Sequence, residues 1–376
     1  MRIAQCKIQH VDQIAGANLP PETQLLLIFG ARNLLQHDGL FVALKQACPA
    51  AHIAGCSTAG EICGTEVSDN TIVLTSICFT STQIRLATVA VPQAADSRQA
   101  GLTLSAQLQA PHLRHILVFS DGMGVNGSEL VQGLRERLPA NVNVTGGLAG
   151  DGADFQETVV LGDGPARAGQ IVGVGFYGEE LHIGYGSVGG WDVFGPERMI
   201  TRSEGNVLYE LDGESALALY KTYLGKHAQE LPSSGLLFPL ALRLPDAETP
   251  VVRTILGVDE AQQSMTFAGA MPEGCMAQLM KANFNRLVDG AIGAAEVNRQ
   301  QLGEHKAELA VLISCIGRKL VLRQRIEEET EGVADILGTQ AVLTGFYSYG
   351  ELAPHGAQTR CELHNQTMTV TTFSEK

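Results

Sequence analysis

The residues of this chain that could do chemistry gather around three short stretches rich in glycine. One reads Gly55-Cys56-Ser57-Thr58-Ala59-Gly60-Glu61, a second Gly146-Gly147-Leu148-Ala149-Gly150-Asp151, and a third Gly345-Phe346-Tyr347-Ser348-Tyr349-Gly350-Glu351. Each follows a short apolar run and closes on a carboxylate. An apolar run entering glycine is a strand passing into a special backbone turn. Glycines at such a place let backbone amides approach a ligand, and Glu61, Asp151 and Glu351 could receive a cationic or amine group. The alternative is that the glycines serve strand corners and the carboxylates cap or pair locally. Cys56 with Ser57, and Cys315 near Arg318, are places where a nucleophile could sit. A catalytic cysteine needs a nearby base and a depressed pKa, so a cysteine-dependent enzyme built on Cys56 or Cys315 stands as an alternative function.

Other chemistries find little in the spacing. There is no GxxxxGK[ST] loop, no GxGxxG opening a helix after the first strand, and no GxSxG elbow. His364 lacks HxxxH or HExxH spacing, which speaks against a structural zinc site. Haem needs only one axial His, Cys or Tyr in an apolar pocket, and no CxxCH attachment site is present, so any haem would be held non-covalently.

Three βαβ units must position these turns. The first pairs an apolar strand at 24–29 with a helix at 40–47 and a strand at 52–54. The second pairs a strand at 115–119 with a helix from Ser128, taken as its N-cap, and a strand at 142–145. The third runs from a strand at 308–313 through a helix at 327–337 to a strand at 341–344. Extended segments follow each turn: 71–75 and 84–89, then 158–161 and 170–176 as a hairpin across Gly162-Asp163-Gly164-Pro165, then 366–371. Between the second and third units lie helical patterns at 206–225 and 283–302 and a strand pair at 251–256 and 265–269. The fold class is α/β of mixed α+β kind: repeated βαβ units whose sheets are extended by antiparallel strands, in two domains. The boundary is placed in the Gly- and Pro-containing segment 189–201, giving domains 1–200 and 201–376.

The 376 residues are 45% hydrophobic and carry a net charge of −14, which suits packed cores and opposes nucleic acid and anionic membranes as partners. No run approaches the roughly 18 apolar residues of a membrane span. Eight scattered cysteines without CxxC pairs suit a reducing compartment, and a cytoplasmic location is expected.

The first two turns, Gly55 to Glu61 and Gly146 to Asp151, with Gly205-Asn206 before Leu211-Asp212-Gly213, resemble the N-terminal FIST sensory domain. Met271-Pro272-Glu273-Gly274, Ser314-Cys315-Ile316-Gly317-Arg318, Gly345 to Glu351, and His364-Asn365-Gln366-Thr367-Met368-Thr369 resemble its C-terminal partner. The resemblance implies a signal-transduction input module that binds a small ligand and is not an enzyme. An amino acid is one ligand that it implies. The other is haem, as in stand-alone FIST proteins that sense nitric oxide and regulate a histidine kinase within a two-component system. A sensor without its own output would act by contacting such a partner. The ligand contacts expected are Cys56, Ser57, Glu61, Asp151, Cys315, Arg318, Tyr349, Glu351, His364 and Asn365, with His182, Tyr349 and His364 as axial suspects if haem binds.

Overall fold

In the computed structural model, which describes residues 1–244, 250–354 and 361–375, three equivalent units form the core. Each unit has an opening and a closing strand in parallel: Leu25–Gly30 with His52–Ser57, Leu113–Ser120 with Asn143–Leu148, and Leu309–Cys315 with Val342–Ser348. The opening strands are buried on both faces, as the apolar runs that make up most of each require, with Arg114 the one exposed position. A return strand lies antiparallel to each opening strand: Ile72–Cys78, Gln170–Tyr177 and Met368–Ser374. Beyond these, Arg2–Ile8, Gln83–Ala90 and His182–Val188 form the edges.

The strand after each turn leaves its own sheet. Glu61–Cys63 from the first turn pairs with the closing strand of the third unit. Val160–Gly162 from the second pairs with that of the first, and Gly350–Pro354 from the third with that of the second. Three sheets are thereby joined in a closed cyclic exchange. Phe29, Phe119 and Phe346 meet where the sheets converge, with ring centroids 4.9–6.2 Å apart.

The third unit is interrupted between its edge strand and the helix Phe284–Leu302 by an inserted subdomain. There the long strand Asp192–Glu204 anchors sheets that contain Leu240–Arg243, Val251–Arg253, Ile255–Asp259, Ser264–Phe267 and Met276–Lys281. The 200/201 boundary read from sequence falls inside Asp192–Glu204.

The mixed α+β class with repeated units and antiparallel extensions is as the sequence predicts, but several local expectations are corrected. Val160–Gly162 and Gln170–Tyr177 do not form a hairpin: the first completes the sheet of unit one, the second stays in unit two. The helix expected over 206–225 is confined to Ala216–Leu224, because Asp212 and Gly213 take left-handed φ of 52° and 80° and fold Val207–Leu211 back on Glu214–Ser215. The N-cap of Gly127–Arg137 is Asn126, whose side chain accepts from the amides of Ser128 and Glu129. The run 251–256 is split at Thr254 between two sheets.

Candidate functional site

The three turns meet. Gly150 N donates to Ser57 O (2.9 Å), Ala59 N to Tyr347 O (2.8 Å), Tyr347 N to Gly60 O (2.8 Å) and Tyr349 N to Leu148 O (3.1 Å). The glycines opening the turns are forced by strand contact. A Cβ on Gly55, Gly146 or Gly345 would lie 1.8, 2.0 or 1.8 Å from the carbonyl oxygens of Ile28, Val118 and Leu312. No side chain larger than hydrogen fits there.

Two of the closing carboxylates are spent locally. Glu61 accepts from Thr58 Oγ1 (2.5 Å) and from Thr71 N and Oγ1 (3.1 and 2.8 Å). Glu351 repeats this with Ser348 Oγ (2.6 Å) and Thr367 N and Oγ1 (3.2 and 2.9 Å). Burial raises both pKa values against these hydrogen bonds, that of Glu351 to about 8. Asp151 differs. Burial would raise it, but Tyr349 Oη and the amides of Glu157, Gln156 and Phe155 donate to it and hold its carboxyl below the usual range.

Two cavities flank the junction, divided by Ala153, Ile316 and Leu320. The first is a crevice of about 700 Å³ between the three-unit core and the inserted subdomain. Its walls include Met123, Leu148, Phe155, Thr254, Cys315 and Tyr349, and no charged side chain lines it among the described residues. Tyr349 stacks on Phe155 with centroids 4.6 Å apart and planes at 16°. Thr254 Oγ1 is buried without a partner, which marks unmet hydrogen-bonding capacity beside the crevice. The second is a polar basin of about 570 Å³ lined by Arg32, Glu61, Asp69, Asp151, Asp154 and Lys319. Lys319 pairs with Asp69 and donates to Ala59 O (2.9 Å), while Arg32 lies 4.0 Å from Asp151 and 3.4 Å from Glu157.

The site residues expected from sequence are spread over several places. Tyr349 and Cys315 line the crevice, Glu61 and Asp151 the basin. Cys56 and Ser57 lie in the core, with Ser57 Oγ accepting from Val159 N (2.9 Å). Arg318 is fully buried beneath the subdomain, paired with Glu329 and donating to the carbonyls of Gly189, Leu287 and Gln366. His364 contacts Ala353 O through Nε2 (3.0 Å), and Asn365 is buried with neither side-chain polar atom bonded. His182 stacks against His305 at the edge of the third sheet, centroids 3.4 Å apart. Burial raises the pKa of both Cys56 and Cys315, and no imidazole is hydrogen-bonded to either among the described residues.

Sequence reading missed Met123, Phe155, Thr254, Arg32 and Lys319. Arg32, Met123 and Lys319 lie in or just beyond the segments following the three opening strands, where an α/β sheet presents its ligand crevice, and that rule could have found them. Phe155 and Thr254 carry no such signal.

A three-unit core with a half-open apolar crevice under an inserted subdomain has the form of a small-molecule site. Residues 24–214 match the FIST N domain and residues 216–354 the FIST C domain, and the chain belongs to the FIST family. FIST domains are small-ligand-sensing domains of signalling proteins. No curated protein matches the chain. Among solved structures it is similar to a chorismatase, at 10% identity over 99% of this chain and 98% of that one, with a TM-score of 0.36. It is also similar to a cyanuric acid hydrolase from A. caulinodans, at 10% identity over 99% and 98%, with a TM-score of 0.35. Both likenesses run the length of the chain and superpose weakly. No helix among the described residues is long and apolar enough to cross a membrane.

Proposed function

We propose that this chain is a sensor without catalytic chemistry of its own, and that its ligand is a small uncharged molecule held in the apolar crevice. The observation that carries this reading is the lining: about 700 Å³ walled by core and subdomain together, with no charged side chain among the described residues. A charge placed there would lose its water without gaining a partner. Because both bodies contribute walls, a ligand that binds one relative position of core and subdomain better than another would shift their balance. That shift would be read by a partner protein, a histidine kinase being the one the FIST resemblance suggests.

The haem expectation finds less support. Tyr349 turns its hydroxyl to Asp151, His364 and His182 lie elsewhere, and no histidine lines the crevice among the described residues. Nor is there a cation in the lining for the propionates. The residues present do not fit a haem held by any of the three suspects. An amino acid is the second reading, favoured by the neighbouring basin, whose lining holds both signs of charge that a zwitterion needs, Arg32 and Lys319 among Asp69, Asp151 and Asp154.

A thermal-shift screen separates these readings. A ligand of the crevice at 100 times its Kd should stabilise the wild type by about 2.7 kcal/mol and, by much less, Ala268→Phe, which pushes a ring into the crevice from its wall. Stabilisation by free amino acids that Lys319→Met abolishes would move the site to the basin. A Soret band after haemin addition would overturn the uncharged-ligand reading.

A further inference from the structure

Resting on the crevice reading, we propose that the ligand carries a planar unsaturated ring, and that Phe155 occupies the place of that ring in the ligand-free protein. Tyr349 is a fixed platform. Its hydroxyl donates to Asp151 and contacts Asp151 N at 3.2 Å, and its Cδ2 lies 3.2 Å from where Gly122 would carry a Cβ, so the ring is held at both ends. Phe155 is its opposite. Its φ of 52° is a left-handed conformation that a bulky residue rarely adopts. Its side chain is 37% exposed and joins none of the hydrophobic cores.

What holds Phe155 is its backbone. Its amide donates to Asp151 Oδ1 (2.9 Å), as those of Gln156 and Glu157 donate to Oδ2 (both 2.9 Å). The main chain is clamped while the side chain stacks on Tyr349, near-parallel at 4.6 Å and outside the hydrophobic cores. Strained backbone held by its surroundings clusters at ligand sites. A rotation about χ1 would uncover the Tyr349 face without disturbing the clamp. The uncovered surface is an aromatic face in a crevice whose lining, among the described residues, carries no charge and includes Thr254, whose Oγ1 has no partner. An uncharged aromatic or heteroaromatic molecule of one or two rings satisfies all three features, whereas a saturated molecule of the same volume loses the stacking.

The test uses 2-naphthol and decahydro-2-naphthol, neutral alcohols of similar bulk that differ in planarity, titrated calorimetrically into the full chain. Wild type should bind 2-naphthol at least ten-fold more tightly than the saturated alcohol. Phe155→Ala should tighten 2-naphthol binding about five-fold by removing the resident ring, and Tyr349→Leu should erase the difference between the two alcohols. Phe155 lies outside the cores, so its variant tests the idea even if Tyr349→Leu does not fold. Equal binding of both alcohols, or weaker 2-naphthol binding by Phe155→Ala, would overturn the ring inference. If that equal binding is abolished by Ala268→Phe, the crevice itself survives. Binding indifferent to Ala268→Phe, or no binding of either alcohol, would overturn both.

Discussion

The first and third turns are built alike and the second is not. Glu61 and Glu351 each reach back three residues to a hydroxyl and across to a threonine just before the return strand, Thr71 or Thr367. They act as internal fasteners. Asp151 occupies the corresponding place, yet it gathers the part-buried amides of the exposed residues 155–157 and the hydroxyl of Tyr349 from the third turn. The fastening duty in the second unit passes to Asp121, which accepts from Met123 N, Gly124 N and Gly169 N. One copy of a repeated corner is thereby released from holding the fold and connects the basin with the crevice.

The largest effects should fall where the three units are still equal. Ala at Gly55, Gly146 or Gly345 drives a methyl into a strand carbonyl in every case, and each substitution should cost more than about 4 kcal/mol. Urea denaturation, or the yield of folded protein, reads this. A tolerated alanine at one of the three would break the equivalence of that unit.

Next come the carboxylates. Glu61→Ala and Glu351→Ala each strand three buried donors and should cost about 2–4 kcal/mol, whereas Asp151→Ala should cost about 1–2 kcal/mol because water can reach the amides it leaves. Equal costs at all three positions would erase the distinction drawn between the turns.

The pH dependence should have opposite signs. With its pKa raised from 4.5 to about 8, Glu351 contributes stability fully below 4.5 and loses it as pH rises through 8. The limiting slope is about 1.4 kcal/mol per pH unit, and Glu351→Gln should remove it. Asp151, held below its ordinary 3.8, contributes above that value and loses its contribution as acid is added. Asp151→Asn should flatten the acid limb only. Stability curves measured from pH 3 to 9 would show either slope persisting in its variant if this is mistaken.

The smallest effect at neutral pH belongs to His115, which takes the place of Leu25 and Leu309 in the other opening strands. Burial lowers its pKa from 6.5 to about 3, so its neutral form contributes fully above 6.5 and the contribution is lost as pH falls towards 3. His115→Leu gives up the buried hydrogen bond between His115 Nε2 and Thr145 Oγ1 (2.9 Å) and should cost less than about 1.5 kcal/mol at pH 7, yet raise stability relative to wild type at pH 4. A wild-type-like slope in the variant would place the acid sensitivity elsewhere.

Much of this architecture was legible because it is written in backbone requirements. Three apolar runs ending at glycine are a local signal, and the contacts at Gly55, Gly146 and Gly345 show why glycine is obligatory there. The strand exchange was not legible, since Val160–Gly162 reads as one arm of a hairpin whichever edge it joins. The site was legible in part for the same reason. Tyr349, Cys315, Glu61 and Asp151 sit at turns or strand ends that the pattern marks. The crevice depends equally on Thr254 and Phe155, whose importance comes from a missing partner and a left-handed φ that composition does not express. Arg318 stood out in sequence as an arginine beside a cysteine, and only the fold reveals Glu329 and the carbonyls that occupy it.

The cyclic exchange of Glu61–Cys63, Val160–Gly162 and Gly350–Pro354 bears on how the units depend on one another as well as on shape. Each unit lends a strand to one neighbour and borrows one from the other, so no unit has a complete sheet by itself. Three separate polypeptides of one unit each would satisfy the same pairings as a head-to-tail ring with threefold symmetry.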